Sequence, residues 1–242
     1  MQYLNSRPLI HGYAGPVKFD HPSGLARDLA AGALDVALVP IFEVLRDPRY
    51  LVADGVAIAS DGPVFCVFLA HRGPLANVRT VSLDPASLTS AHLLQVLLAE
   101  YHGLRPRCVE AGESDARLLI GNQAIDFRLA DGGRHALLDL GAEWQRCTGL
   151  PFVYAVWAMR ADLPNARAVA EDFRRLKCEG LATIPAIVAA ETTHPPEVAG
   201  PYLEQHIRFD LGAREKAGIA KFSELLAAAG FIPRERPPIA FA

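Results

Sequence analysis

The chain has 242 residues, of which 51% are hydrophobic and 21% charged, and its formal net charge is −3. This length and composition are typical of a globular protein and exclude a disordered or fibrous chain. The weakly negative charge gives no general attraction to nucleic acid or to an anionic membrane surface. We therefore expect any ligand to be bound locally, in a site of its own.

Cysteine usage argues against a zinc site and against a disulfide scaffold. No two cysteines have the short spacing of a zinc site, and a chain of this size does not need disulfides. No apolar run approaches the ~18 residues of a membrane span, and no basic-apolar-small leader is present. We therefore expect no metal, no membrane contact and a cytoplasmic location. The four cysteines are Cys66, Cys108, Cys147 and Cys178.

The N-terminal third of the sequence predicts short strands and one amphipathic helix. Residues 3–5 end the first predicted strand, and Pro8 then fixes φ for a helix start. The segment SGLARDLAAGALD predicts a helix, and DVALVP, residues 35–40, follows it as a strand. GVAIAS and VFCVFLAH, residues 55–60 and 64–71, predict two further strands.

The rest of the chain alternates strands with helices and ends with helices. TVSLD leads into SLTSAHLLQVLLAEYHG, residues 87–103, which has the apolar stripe of a helix. RCVEA and LLIGN, residues 107–111 and 118–122, are the next predicted strands. FVYAVWAMR, residues 152–160, is apolar on both faces and predicts a central strand. The remaining residues predict a series of short helices.

Repeated β–α units predict α/β layers with mostly parallel sheets. Strands 64–71 and 152–160 are candidate crossings between two sheets. If the chain leaves one lobe at the first crossing and returns at the second, lobe 1 comprises residues 1–72 and 151–242. Lobe 2 then comprises residues 73–150. A ligand cleft is expected between the lobes, because small-molecule sites commonly lie at domain interfaces.

Asn5, Ser6 and Arg7 follow the first predicted strand in a strand-to-helix turn. Because ligands of open α/β sheets lie at the carboxyl ends of strands, these side chains are candidate ligand contacts. The alternative is structural, since asparagine and serine are common helix caps. Position alone favours the structural interpretation, in which these residues cap the helix.

A second candidate segment is Asp84-Pro85-Ala86-Ser87-Leu88-Thr89-Ser90, which stands immediately before the long helix. Hydroxyl groups and free backbone N–H groups at a helix N-terminus can hold a carboxylate or a phosphate, with help from the helix dipole. Helix capping is again the alternative, and it needs only one of the three hydroxyls.

Weaker candidates come from two turns and one strand. Glycines in the turns allow a ligand to approach the backbone closely, and aromatic residues of strand 152–160 either line a pocket or belong to the core. The sequence has no Walker loop, no GxSxG, no GxGxxG after a strand and no HExxH, so no nucleophile–base pair can be nominated. These weaker candidates are Ser60, Gly62, Gly121, Asn122, Phe152 and Tyr154.

Taken together, several segments resemble the menaquinone-biosynthesis family that contains chorismate dehydratase, of the futalosine pathway. The resemblance runs nearly end to end in the same order, and the pairing of YLNSRPL with LGAEW…TGLPFVYAVW carries its specificity. The matching stretches are YLNSRPL (3–9), LAAGALDVALVPIFEVLRDPRY (29–50), AIASDGPV (57–64), SLTSAHLLQVLL (87–98), DARLLIGNQAI (115–125), DLGAEWQRCTGLPFVYAVW (139–157) and YLEQHIRFDLGAREKAGIAKF (202–222).

The resemblance implies a type II periplasmic-binding-protein fold used as a cytoplasmic enzyme, a hydro-lyase. The family reaction removes water from chorismate and gives 3-[(1-carboxyvinyl)oxy]benzoate without a cofactor. By motif position Asn5 is the expected catalytic residue, with Ser6 helping to set the geometry while a substrate carboxylate takes the proton. The expected substrate contacts are Arg7, Ser60, Gly62, Ser87, Thr89, Ser90, Gly121, Asn122, Phe152 and Tyr154.

Three alternative functions stay open at this point. The first is the related enzyme that acts later in the same pathway, although YLNSRPL points to the dehydratase. The second is a non-catalytic solute-binding protein for a small carboxylate, which would have the same architecture. The third is a ligand-sensing regulator domain, which is disfavoured because no helix-turn-helix precedes the first residue. Two positions depart from the family pattern: Cys66 stands where serine is frequent, and Asn122 stands where aspartate is commoner.

Overall fold

Two β-sheets form the centres of two lobes. The structure, a computed structural model, describes residues 3–84, 87–110 and 112–242. The first sheet has the strand order β1-β8-β2-β9. Its strands are β1 (Val36–Pro40), β8 (Phe152–Arg160), β2 (Tyr50–Ser60) and β9 (Ala240–Phe241). The second sheet has the order β5-β4-β6-β3-β7. Its strands are β5 (Arg107–Val109), β4 (Thr80–Ser82), β6 (Ala116–Ile120), β3 (Val67–His71) and β7 (Ala136–Asp139).

Helices cover both sheets. None that lies within the described residues is both long and apolar enough to cross a membrane. The α-helices are α1 (Pro22–Ala30), α2 (Ile41–Arg46), α3 (Leu88–His102), α4 (Gly121–Asp131), α5 (Leu140–Thr148), α6 (Ala166–Ala182), α7 (Ile184–Ala189), α8 (Pro196–Pro201) and α9 (Ala213–Ala228). Short 3-10 helices span Leu4–Leu9 and Leu75–Asn77, and a π-helical turn spans Tyr202–His206.

The two-lobed α/β architecture is confirmed, but the prediction of mostly parallel sheets is wrong. β8 runs antiparallel to both β1 and β2, and β3 runs antiparallel to both β6 and β7. Parallel pairing joins β4 to β5 and β6, and β2 to β9.

The sheet to which each strand belongs shows where the chain passes from one sheet to the other. Strand β3 lies wholly in the second sheet, although the predicted lobe 1 range of 1–72 contains it. The first passage therefore lies in residues 61–66 rather than within strand 64–71. Strand β8 lies in the first sheet, and the return passage lies between α5 and β8. Residue 111, the predicted end of the strand at 107–111, lies outside the described residues.

The N-terminal segment is helical where a strand end was predicted. Tyr3 is extended, with φ −80° and ψ 152°, and the 3-10 helix begins at Leu4. The backbone N–H and the hydroxyl of Ser6 both donate to the Tyr3 carbonyl oxygen, which closes a turn immediately. Pro8 lies inside the 3-10 helix. The φ angle that the proline ring fixes falls in the range of a 3-10 helix, so the residue fits there. Met1 and Gln2, the predicted start of the strand, lie outside the described residues.

Close packing of α6 fixes the position of this 3-10 helix. A Cβ atom added to Gly180 would lie 1.7 Å from the carbonyl oxygen of Pro8, so only glycine allows this contact. Leu4 and Leu9 point into the core and are 1% and 0% exposed. The segment that carries Asn5 is thus held from both sides.

Candidate functional site

A cavity of about 60 Å³ lies between the two sheets. Both lobes contribute to its wall, together with the N-terminal segment and the start of α3. No carboxylate, imidazole, ammonium or guanidinium group is among the described residues that line it. Any chemistry here must therefore use neutral groups and the ligand's own charges. The lining residues are Tyr3, Asn5, Pro22, Pro40, Ile58, Val64, Cys66, Val67, Ser87, Leu88, Thr89, Ser90, Ile120, Gly121, Tyr154 and Ala155.

Asn5 presents a buried side-chain carbonyl oxygen to the cavity. Its side chain is buried, and its Nδ2 donates to the hydroxyl oxygen of Tyr202 at 2.9 Å. Its Oδ1 is buried without a hydrogen-bond partner among the described residues. A buried polar atom left unpaired costs free energy, so such an atom in a cavity wall points to a ligand. The geometry thus makes Asn5 a hydrogen-bond acceptor for a bound molecule.

Tyr3 provides a second unpaired polar atom, which the sequence analysis missed. Its hydroxyl is buried and has no hydrogen-bond partner within the described part of the chain. Burial and, to a smaller extent, the charge of Asp84 raise the pKa of Tyr3 to about 12, so it is a neutral donor at physiological pH. The only signal in the sequence was its place two residues before Asn5 in the same motif.

Gly121 allows the Tyr3 ring to reach the cavity. This glycine begins α4 with φ +62°, and a Cβ added to it would lie 2.8 Å from the Tyr3 ring. A side chain at this position would be strained by its backbone and would displace the ring. The prediction that Gly121 contributes to the site thus has a specific steric basis here.

The N-terminus of α3 brings serine and threonine hydroxyls to the same cavity. Ser87 is the N-cap residue but makes no side-chain capping bond. Its Oγ is buried without a partner among the described residues, whereas Thr89 Oγ1 accepts from the N–H of Phe42 at 3.2 Å. Ser90 also lines the cavity. The Ser87 hydroxyl lies beside the positive end of the dipole of a 15-residue helix. This arrangement can bind a carboxylate, because the hydroxyl can donate a hydrogen bond and the helix dipole attracts negative charge. Pro85 and Ala86 lie outside the described residues.

Tyr202 and Cys66 continue the hydrogen bonding of Asn5: Tyr202 lies outside the cavity lining, and Cys66 is part of it. Cys66 Sγ lies 3.0 Å from the Tyr202 hydroxyl oxygen. Burial raises the pKa of the Cys66 thiol to about 11, so it stays protonated and is a poor nucleophile. Burial likewise raises the pKa of Tyr202 well above its usual value. Both groups are therefore neutral hydrogen-bonding groups.

Four of the predicted contacts lie behind the cavity wall. The Ser60 hydroxyl lies 3.2 Å from the hydroxyl of Tyr154, which itself lines the cavity. Asn122 Oδ1 accepts from the Leu4 N–H at 3.3 Å. Gly62 lies against Gly141, and Phe152 packs edge-on against the rings of Trp144, Tyr154 and Phe222. The structure therefore places Ser60, Gly62, Asn122 and Phe152 in supporting positions.

Ser6 and Arg7 face away from the cavity. The Ser6 hydroxyl donates to the Tyr3 carbonyl oxygen at 2.8 Å, and both residues line a separate surface groove. Arg7 Nη1 pairs with the buried carboxylate of Glu191 at 2.5 Å. The structure does not bring Ser6 or Arg7 together with Asn5 in the cavity.

Comparisons with known proteins agree with this architecture. The menaquinone biosynthesis family matches residues 1–228. The chain is 32% identical to a chorismate dehydratase of Thermus thermophilus, over 93% of each chain. It is 24% identical to a 1,4-dihydroxy-6-naphtoate synthase of Streptomyces coelicolor, over 90% of this chain and 83% of that protein.

Solved structures show the same fold at low identity. A protein of Archaeoglobus fulgidus superposes with a TM-score of 0.72 at 20% identity, covering 95% of this chain and 96% of the other. A Candida albicans protein with the generic periplasmic binding protein structural fold gives 0.65 at 14% identity, covering 97% and 90% of the two chains. The chain belongs to the menaquinone biosynthesis family and has the fold of periplasmic binding proteins.

Proposed function

We propose that this protein is a chorismate dehydratase, a hydro-lyase that converts chorismate to 3-[(1-carboxyvinyl)oxy]benzoate in the cytoplasm. The observation that carries the proposal is the set of three buried, unpaired polar atoms around one cavity: Asn5 Oδ1, Tyr3 Oη and Ser87 Oγ. Support comes from the Thermus thermophilus relative, which is 32% identical and named for this activity.

The reaction suits a site without ionised side chains. The C4–O and C3–H bonds of chorismate break, the hydroxyl and the proton leave as water, and the ring becomes aromatic. No electrons are exchanged with another molecule, so the atom balance requires no redox cofactor. The driving force lies in the aromatic product, and the protein needs chiefly to orient the substrate and assist departure of the hydroxyl.

Each unpaired atom has a role in this proposal. The Ser87 hydroxyl and the N-terminus of α3 bind a substrate carboxylate. Asn5 Oδ1 accepts a hydrogen bond from the C4 hydroxyl and so fixes its direction. The Tyr3 hydroxyl donates to the departing oxygen, which gains negative charge as the C4–O bond breaks. A substrate carboxylate takes the C3 proton, since no basic side chain lines the described wall.

Substrate entry requires the two lobes to move apart. Pockets for small molecules typically hold about 300–1,000 Å³, and the cavity has about 60 Å³. The two chain passages between the sheets are the natural hinges for this motion. We expect the cavity to widen when chorismate enters.

The test is incubation of the purified protein with chorismate, followed by NMR detection of the aromatic product. We expect stoichiometric conversion with release of water. Tight chorismate binding without product would instead favour a binding protein. Lack of both would favour the later pathway step, which the Streptomyces coelicolor relative makes the second candidate.

A further inference from the structure

We propose that Tyr202 is a positioning residue: by holding the amide nitrogen of Asn5, it keeps the Asn5 carbonyl oxygen turned into the cavity. Tyr202 does not line the cavity itself. The inference deepens the proposed function and rests on it. Tyr202 is 197 positions away from Asn5 in the sequence, and the inference gives it a specific effect on the reaction through Asn5.

The first argument is the choice between the two ends of the Asn5 amide. An asparagine side chain has one donor end and one acceptor end, which are similar in shape. The 2.9 Å bond from Nδ2 to the Tyr202 hydroxyl uses one of the two N–H hydrogens and fixes the donor end on the Tyr202 side. Oδ1 is left without a partner among the described residues, so it is the atom that accepts from a substrate hydroxyl in this proposal. Without Tyr202 either end of the amide can face the cavity.

The second argument is that Tyr202 itself is held in place. It is 1% exposed and begins the π-helical turn Tyr202–His206. Its hydroxyl oxygen accepts from Asn5, and it shares a second hydrogen bond, of 3.0 Å, with Cys66 Sγ, in which either group can be the donor. π-Helical turns are rare and frequently found at functional sites. The phenol thus has defined partners on both sides.

The third argument concerns the segment that carries Cys66. Phe65 has φ +71°, a left-handed conformation that is strained for a residue with a bulky side chain. Asp139 accepts from the N–H groups of Val64 and Phe65 at 3.0 and 2.8 Å, which holds this segment in place. Arg128 also donates to the Phe65 carbonyl oxygen at 3.0 Å. The strained backbone aims Cys66 at Tyr202.

The test compares Tyr202→Phe with wild type for turnover of chorismate. We expect kcat to fall about 10- to 100-fold, because a misdirected amide misplaces the substrate. KM should change less than about twofold, since the carboxylate contacts at α3 remain. In an Asn5→Ala background, Tyr202→Phe should lower kcat by no more than about twofold, because a residue that acts through Asn5 adds nothing once Asn5 is gone.

Tyr50→Phe is the matched control. Tyr50 is also buried, at 2% exposure, its hydroxyl has no partner among the described residues, and it does not line the cavity. This variant should keep the wild-type kcat and KM, which shows that loss of a buried phenol hydroxyl is not in itself damaging.

The outcomes separate the two proposals. Wild type without product would overturn the proposed function and this inference with it. If the wild type is active and Tyr202→Phe has an unchanged kcat, the inference alone is overturned. The same holds if Tyr202→Phe lowers kcat equally in the wild-type and the Asn5→Ala backgrounds. If thermal melting shows that Tyr202→Phe does not fold, Cys66→Ala replaces it. Because Cys66 also lines the cavity, this variant is compared in the wild-type and the Asn5→Ala backgrounds. We then expect a fall in kcat of about two- to tenfold in the wild-type background alone. No fall, or an equal fall in both backgrounds, would overturn the inference.

Discussion

The 3-10 helix Leu4–Leu9 separates two buried polar regions that differ in their hydrogen bonding. On the cavity side, the acceptor oxygen of Asn5 has no partner within the described residues. On the other side, Arg7 pairs with Glu191, whose carboxylate also accepts from the backbone N–H groups of Thr193 and His194. Polar groups that are paired hold the fold, whereas several buried and unpaired polar atoms around one cavity indicate where a ligand belongs.

The largest expected effect comes from Asn5→Ala, which removes the unpaired acceptor. We expect kcat for chorismate dehydration to fall about 100-fold or more, as when a single transition-state hydrogen bond is lost. The melting temperature should change little, because within the described residues the Asn5 side chain has one hydrogen-bond partner, Tyr202. Steady-state kinetics beside a thermal melt measures both quantities. Full activity in the folded variant would refute the assignment of Asn5.

Arg7→Ala tests the paired region and should act on stability. We expect the free energy of unfolding to fall by about 2 kcal/mol, less than for a fully buried pair, because the Arg7 side chain is 39% exposed. Urea titration at neutral pH measures the loss. An unchanged free energy of unfolding would mean that the Arg7–Glu191 pair does not hold this side of the fold.

Acid should weaken the same region. Burial by itself would raise the Glu191 pKa, but the Thr193 N–H and the Arg7 charge outweigh it and hold the pKa below its ordinary value of 4.5. Because the folded pKa is the lower one, the contribution of Glu191 to stability is complete above pH 4.5 and is lost as the pH falls through the folded pKa. Glu191→Gln should therefore flatten the acid side of the stability profile. A profile as steep as that of wild type would contradict this.

Gly121→Ala tests the contact that places Tyr3. At φ +62° an alanine is strained by about 1 kcal/mol, and its Cβ would meet the Tyr3 ring at 2.8 Å. We expect both stability and kcat/KM to fall. Gly132→Ala is the matched control, because Gly132 has φ +61° and no atom within 4 Å of the added Cβ. It should lose similar backbone stability and keep its activity. Equal losses of activity in the two variants would show that Tyr3 is not involved.

The sequence identified the two-lobed fold and the segments of the site better than it identified individual contacts. YLNSRPL located Asn5, and the hydroxyl-rich start of α3 located Ser87. It did not show that Ser6 and Arg7 face away from Asn5, because the three residues were expected together in a strand-to-helix turn. The 3-10 helix that they form instead distributes consecutive side chains around its axis. The Tyr202–Asn5 bond joins residues 197 positions apart, and no spacing in the sequence signals it.

Calorimetric titration with the product of the proposed reaction, 3-[(1-carboxyvinyl)oxy]benzoate, tests most directly which buried polar region binds the ligand. Wild type, Ser87→Ala and Arg7→Ala would be compared under the same conditions. We expect Ser87→Ala to bind about tenfold more weakly, since a hydrogen bond to a charged group contributes about 1.5 kcal/mol or more. Arg7→Ala should keep the wild-type Kd. Weakened binding in Arg7→Ala together with unchanged binding in Ser87→Ala would contradict the assignment of the cavity as the ligand site.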